Sequence, residues 1–162
     1  MSSMPKLLDA VERYLLAAMM AVVFLLLLAQ VGARFAGTAA FGWTEEAARY
    51  LFIWLVFLGS GFAVRRGGHI MADILRPKSK HMLARYWLIV LEAMLVAVSL
   101  GLVWYGVHLT SISANTSMVS LGISMAYRSA AVPVGAAIML LMSLANIVAL
   151  VRSMRHAGAA PP

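Results

Sequence analysis

Long apolar runs separated by short polar ones are the most regular feature of the chain. Tyr14 to Ala33 holds no charge and is closed by Arg34, and Ser129 to Val151 is a second long charge-free run. Two more runs carry few charges. One begins near Trp43 and continues through LFIWLVFLGSGFAV to Val64; the other runs from Tyr86 to about Thr110 with Glu92 inside it. A helix needs roughly 20 apolar residues to cross a hydrocarbon core about 30 Å thick. The pattern therefore predicts an all-α integral membrane protein with four transmembrane helices, at about 14–34, 43–64, 86–110 and 129–151 of a single membrane domain, 1–162. The second run is charge-free only from Tyr50 to Val64, too short to span by itself, so Glu45, Glu46 and Arg49 must occupy its first turns near the membrane surface. A cleaved signal peptide is the rival for the first run. Signal cores span about 7–15 residues before a small-residue cleavage site. This run is longer, and Gln30 and Arg34 follow it without such a site.

Between the runs, residues 4–15 place Leu7, Leu8, Val11 and Leu15 at helical spacing, with Asp9, Glu12 and Arg13 on the other side. This segment is either a short amphipathic helix lying at the membrane surface or the polar first turns of the first span. Gly67 and Gly68 are placed to end the second span in a sharp turn. Ile70, Met71, Ile74 and Leu75 follow at helical spacing until Pro77, in a segment that could lie on the bilayer, meet a partner or stay solvated. Its basic residues would draw anionic lipid headgroups, at about 1 kcal/mol each near the surface. The stretch from Ala93 to Tyr127 is also free of charge. As one helix it would reach about 52 Å, so its polar part, in the loop 111–128, must project from the membrane or fold back on its surface. Asn115-Thr116-Ser117 matches a glycosylation sequon. In a bacterial chain that match is chance.

Composition supports the membrane assignment. Hydrophobic residues make up 63% of the chain and charged ones 12%. Soluble domains carry about a quarter charged residues. The net charge is +7. On a soluble chain that would suggest a nucleic-acid partner. Sorted by position, however, 10 of the 13 Lys and Arg residues fall in the two tails and the loop 65–85. Positive charge gathers on the cytoplasmic side of membrane proteins. Both termini and the loop 65–85 are therefore expected in the cytoplasm, with 111–128 in the periplasm. The charge marks orientation, and no soluble basic face remains for nucleic acid. No cysteine is present. That excludes disulfides and thiolate metal sites.

Charged groups inside spans are candidates for function. Glu92 lies about two turns into the third span. Arg85 precedes it by seven residues on much the same face. Glu92 can reach the headgroups or pair locally, make a buried structural contact, or relay protons. The stretch Trp43-Thr-Glu45-Glu46-Ala-Ala-Arg49-Tyr50 is the densest in chemistry. Glu45 and Arg49 can pair at i,i+4, acids suit a helix N-terminus, and Trp43 and Tyr50 suit an interface. One carboxylate is then surplus, and Arg34 at the outer end of the first span is its nearest candidate partner. Gly59, Ser60 and Gly61 would admit a neighbouring helix closely. His69, His81 and His156 stand in polar segments and only His108 near a span. A haem between helices needs two ligands at matching depth, and no such pair exists. The 12 methionines are scattered among leucines. They read as core filling. No cofactor, metal or catalytic group is expected.

Taken together, Arg34, the Trp43 to Tyr50 stretch, Trp54, Gly59, Arg65, Gly68-His69-Ile70 and Asp73 resemble the signature of the DctQ-like small membrane subunit of tripartite ATP-independent periplasmic (TRAP) transporters. Tyr127-Arg-Ser-Ala-Ala-Val-Pro133-Val-Gly135 is similar to that family's entry into its last helix, although Ser124 and Tyr127 stand where proline and tryptophan are common. The resemblance implies a non-enzymatic subunit of a sodium-coupled transporter of organic acids. It would act as a scaffold for a large membrane subunit and help dock a periplasmic solute-binding protein. It would also make Arg34, Glu45, Glu46 and Arg49 a polar cluster at the outer side, and Arg65, His69 and Asp73 the fixings of a cytoplasmic turn. Two other classes remain open on the residues alone: a four-helix drug/proton exporter using Glu92, and a membrane anchor of a redox enzyme.

Overall fold

The four apolar runs form four long helices. In the computed structural model the described backbone covers residues 3–36, 42–74, 82–118 and 120–157, and the described side chains cover 7–36, 42–67, 86–118 and 120–152. Helix α1 is Ser3–Phe35 and α2 Gly42–Ile74, of 33 residues each; α3 is Met82–Ser113, of 32. A single turn, α4 (Ala126–Ser129), leads into α5 (Ala131–Ala157), of 27 residues. At 1.5 Å per residue the first three are about 50 Å long, more than a hydrocarbon core requires. Each long helix contains a membrane-spanning stretch, within Leu7–Phe35, Gly42–Gly67, Tyr86–Ser113 and Ala126–Arg152. The start of α1 and the ends of α2 and α5 share one end of the bundle, here the terminal end. The end of α1, the start of α2 and the connection 114–125 share the other, the loop end.

One alternative is selected and one expectation is corrected. Residues 4–15 do not form a separate helix; they are the first turns of α1, continuous with the span. Gly67 and Gly68 do not end α2, which continues to Ile74. Each glycine costs a helix interior only about 1 kcal/mol relative to alanine, too little to stop a helix with strong formers on both sides. Arg65, His69 and Asp73 therefore lie on helical backbone rather than in a turn. The side chains of His69 and Asp73 fall outside the described residues.

The order in space differs from the order in sequence. Helix α2 packs on α1 and α5, and α5 packs on α2 and α3, giving the row α1–α2–α5–α3. The last helix is thus wedged between the second and the third. Glycine makes the wedge possible. A Cβ on Gly135 would lie 2.6 Å from the Phe57 Cβ and 2.7 Å from its carbonyl oxygen, so here the backbone of α5 meets that of α2. Gly61 faces Ile138 across the same seam, where an added Cβ would come within 2.7 Å. Gly59, by contrast, makes only ordinary contact with Leu16 of α1.

On α3 the seam toward α5 repeats every seven residues: Glu92, Ser99, Gly106 and Ser113. Ser113 accepts a hydrogen bond from Ser129 (3.2 Å), Gly106 lies against Pro133, Ser99 is fully buried, and Glu92 meets Asn146. Small side chains let helices approach where lipid gives no hydrophobic drive to association. Pro133 also explains the break before α5. Lacking an N–H, it cannot bond the Ser129 carbonyl. The next N–H, that of Val134, still bonds the Ala130 carbonyl at 3.2 Å.

A row of helices buries little. At most 17% of any span's apolar window is buried within the chain. Its faces are therefore built for lipid or for other membrane helices.

The glycine contacts give a paired prediction. Gly135→Ala forces backbone apart and should destabilise by about 1–3 kcal/mol. An added Cβ on Gly101 would meet nothing within 4 Å. Gly101→Ala should therefore be neutral or stabilise by about 0.5–1 kcal/mol. Thermal unfolding of both variants in lipid nanodiscs reads the difference in sign.

Candidate functional site

The loop end is organised around Glu46. It sits one turn into α2 with its carboxylate reaching the 114–125 connection. There Oε2 accepts the backbone N–H groups of Ser120 at 3.0 Å and Leu121 at 3.1 Å. This is the work of the surplus carboxylate, and it corrects the expectation that Arg34 is its partner. Arg34 is exposed at the end of α1, and among the described residues it pairs with neither Glu45 nor Glu46. Hydrogen bonds to an ionised group stabilise by about 1.5–3 kcal/mol each, more than neutral ones.

The connection itself is a small folded unit. Ser117 and Ser124 pair in an antiparallel bridge, Met118 N–H bonds the Ile123 carbonyl at 2.8 Å, and Gly122, at φ 65°, turns the chain between them. Met118 points inward and is buried. The Ser124 hydroxyl donates to the Ala114 carbonyl at 3.0 Å and accepts the Ala126 N–H at 3.2 Å, joining the end of α3 to the start of α4. Trp54 of α2 adds a second tie, its indole N–H donating to the Tyr127 carbonyl at 3.1 Å. The polar stretch thus folds back onto α2.

The other members of the expected outer cluster serve separately. Glu45 and Arg49 pair along α2 at 2.7 Å, with more than half of each side chain exposed. So exposed a pair contributes no more than about 0.5 kcal/mol. Trp43 is exposed and Tyr50 half-buried on the same helix. The ion pair stands at the rim of an open groove between α1 and α2 lined by Val23, Leu27, Ala48 and Phe52.

At the terminal end Arg65 reaches from α2 to α1. Its guanidinium bonds Asp9 and, at 2.6 Å, Glu12, with Arg66 at 4.0 Å from the same Glu12. Glu12 is buried, so this clamp is partly desolvated. Sequence reasoning missed it because the partners lie more than fifty residues apart, although Asp9 and Glu12 share a helix face at the end of the span where Arg65 must emerge.

Glu92 makes a structural contact. The Asn146 amide of α5 donates to Glu92 of α3 at 2.9 Å and to the Val64 carbonyl of α2 at 3.3 Å, joining three helices. A largely apolar groove of about 150 Å³ lies beside it, lined in part by Leu88, Leu95 and Leu150. Arg85 falls outside the described side chains.

Comparison with known proteins decides the family. Residues 23–153 match the family described as tripartite ATP-independent periplasmic transporters, DctQ component. The chain belongs to this family. The small permease protein SiaQ of a sialic acid TRAP transporter from Vibrio cholerae is 27% identical over 143 residues, covering 88% of this chain and 82% of the relative. The small permease protein DctQ of a C4-dicarboxylate TRAP transporter from the same organism is 30% identical over 92 residues, covering 57% of this chain and 40% of the relative. A DctQ-type chain with four spanning helices is a multi-pass inner-membrane component of a TRAP transporter, not an enzyme. It works alongside a large membrane subunit and a binding protein. This displaces the exporter and redox-anchor alternatives.

Glu46→Ala should cost about 2 kcal/mol, less than the full value of two such bonds, because two backbone N–H groups lose an ionised acceptor at a half-buried site where water can partly replace it. Glu46→Gln, which keeps a neutral oxygen acceptor, should cost about half as much. Glu45→Ala should stay within about 0.5 kcal/mol. Thermal unfolding in nanodiscs ranks the three.

Proposed function

We propose that this chain is the scaffold subunit of a sodium-coupled TRAP transporter for organic acids. Its loop end faces the periplasm, and its terminal end the cytoplasm. The orientation rests on the 10 of 13 basic residues that belong to the tails and the 65–85 segment. Such charge marks the cytoplasmic side. The organic-acid class rests on the two relatives, named for sialic acid and for C4-dicarboxylates.

One observation carries the scaffold role: where the polar side chains of the spans make hydrogen bonds, they make them within and between the helices of this chain, although the buried hydroxyls of Ser99 and Ser143 have no partner among the described residues. Asn146 and Glu92 join α2, α3 and α5, and Ser113 and Ser129 join α3 to the start of α5. Ser60 and Thr110 donate to carbonyls of their own helices at 2.7 and 2.8 Å. Substrate sites of secondary transporters use broken helices near the midplane. Here α1, α2 and α3 run unbroken, and the break before Pro133 lies at the loop end. What the chain offers instead is apolar helix surface for the large subunit and a pinned 114–125 platform toward the binding protein. Arg34, Trp43, Glu45, Arg49 and Tyr50 flank that platform, and Glu46 holds it.

Co-expression with the large membrane subunit tests the role. The two should co-purify and, with the binding protein, drive sodium-dependent uptake in vesicles. The chain alone should transport nothing. Glu46→Ala should reduce uptake or co-purification, whereas Glu45→Ala should affect them less. Uptake by the large subunit and binding protein without this chain would overturn the scaffold role. Normal assembly and uptake in Glu46→Ala would remove Glu46 from it.

A further inference from the structure

The outer edge of α3 carries an aromatic pair at each of two levels. Tyr86 and Trp87 stand near its start, Trp104 and Tyr105 eighteen residues later, and all four are exposed, Trp104 and Tyr105 by 77% and 72%. Eighteen residues are five helical turns, so the two pairs lie on the same face, about 27 Å apart along the helix. That separation is close to the thickness of a bilayer hydrocarbon core. Trp and Tyr settle at the two membrane–water interfaces, their rings in the acyl region and their polar atoms among the headgroups.

The chemistry on either side agrees. Between the pairs this face is apolar, including Val90 and Met94. Arg85 precedes the first pair, and His108 and Ser111 follow the second. The face turned away from it carries Glu92, Ser99, Gly106 and Ser113 and is already occupied by α5. Helix α3 is also the edge of the row and, among the described residues, packs on no other long helix than α5.

We infer that the outer face of α3 is a lipid-facing surface, and that its two aromatic belts set the register of the chain in the bilayer. Hydrocarbon then extends from about residue 87 to about residue 104, and the last two turns of α3 stand in the headgroup layer. The occupant of this face is bilayer phospholipid. The large subunit implied by the family docks elsewhere on the row. This last point rests on the scaffold reading; the register does not. Ala93, Ala97 and Gly101 lie on the same face between the belts. Small residues of this kind would admit a partner helix. Such a helix is the competing occupant.

The chain has no cysteine, so a single one can be spin-labelled. Ala97→Cys reports the middle of the face, and His108→Cys the same face just beyond the outer belt; both positions are exposed. Each variant is measured in phospholipid vesicles, alone and co-assembled with a cysteine-free large subunit, using molecular oxygen and a water-soluble nickel chelate as relaxing agents. The ratio of oxygen to nickel collisions should be severalfold higher at 97 than at 108. Co-assembly should leave the ratio and the mobility at 97 unchanged. Loss of both kinds of collision at 97 on co-assembly would place a partner helix there and overturn lipid as the occupant. Equal ratios at 97 and 108 would overturn the register. Failure of the subunits to co-purify would count against the scaffold reading, while the labels on the chain alone still decide whether the face is a lipid surface at this register.

Discussion

The arrangement of the helices depends on one close approach, that of α5 to the backbone of α2 at Gly135. In lipid, apolar side chains gain little by leaving their surroundings, so helices associate where their surfaces fit closely. Gly135 against Phe57, Gly61 against Ile138 and Gly106 against Pro133 are the places where these helices fit. They put the last helix between the second and third and leave α1 and α3 as the edges of a row. Everything else follows from that order. Asn146 can bridge α2 and α3 because α5 stands between them. The chain entering α5 passes over the start of α2, which brings the 114–125 connection within reach of Glu46.

The two ends of the row are fastened by different chemistry. At the terminal end a partly buried Arg65 holds two carboxylates of α1. Such a clamp fixes α1 on α2 with a definite register, and removal of one partner would leave charge buried without compensation. At the loop end the tie between the connection and α2 uses no cation among the described residues. A carboxylate binds backbone N–H groups, which lets a polar connection keep one shape while its side chains stay free. That separation of shape from surface chemistry suits the docking role proposed for this end.

Much of this was legible in the sequence because hydrocarbon thickness is a strict ruler. Four apolar runs of sufficient length could only be four spans. The segment Trp43 to Tyr50 stood out because it held one carboxylate more than its local pairing needs, and Glu46 is that carboxylate. Its partner was not legible, because backbone N–H groups carry no residue signature, and a visible cation, Arg34, was the obvious but wrong candidate. The Arg65 clamp and the Asn146 bridge were hidden for another reason. Both join segments whose adjacency depends on the spatial order of the helices, and chain order does not reveal that α5 inserts before α3. Gly67 and Gly68 misled because glycine signals a helix end only where the flanking residues do not sustain the helix.

The claim on which the functional account rests is that Glu46 holds the 114–125 connection against α2. Amide hydrogen exchange of the intact chain in lipid nanodiscs tests it directly. Ser120 and Leu121 lie in a connection outside any helix, yet their N–H groups should exchange well below the rate of an unprotected loop, and in Glu46→Ala they should rise to it. Exchange at the free-loop rate in the unaltered chain would contradict the account.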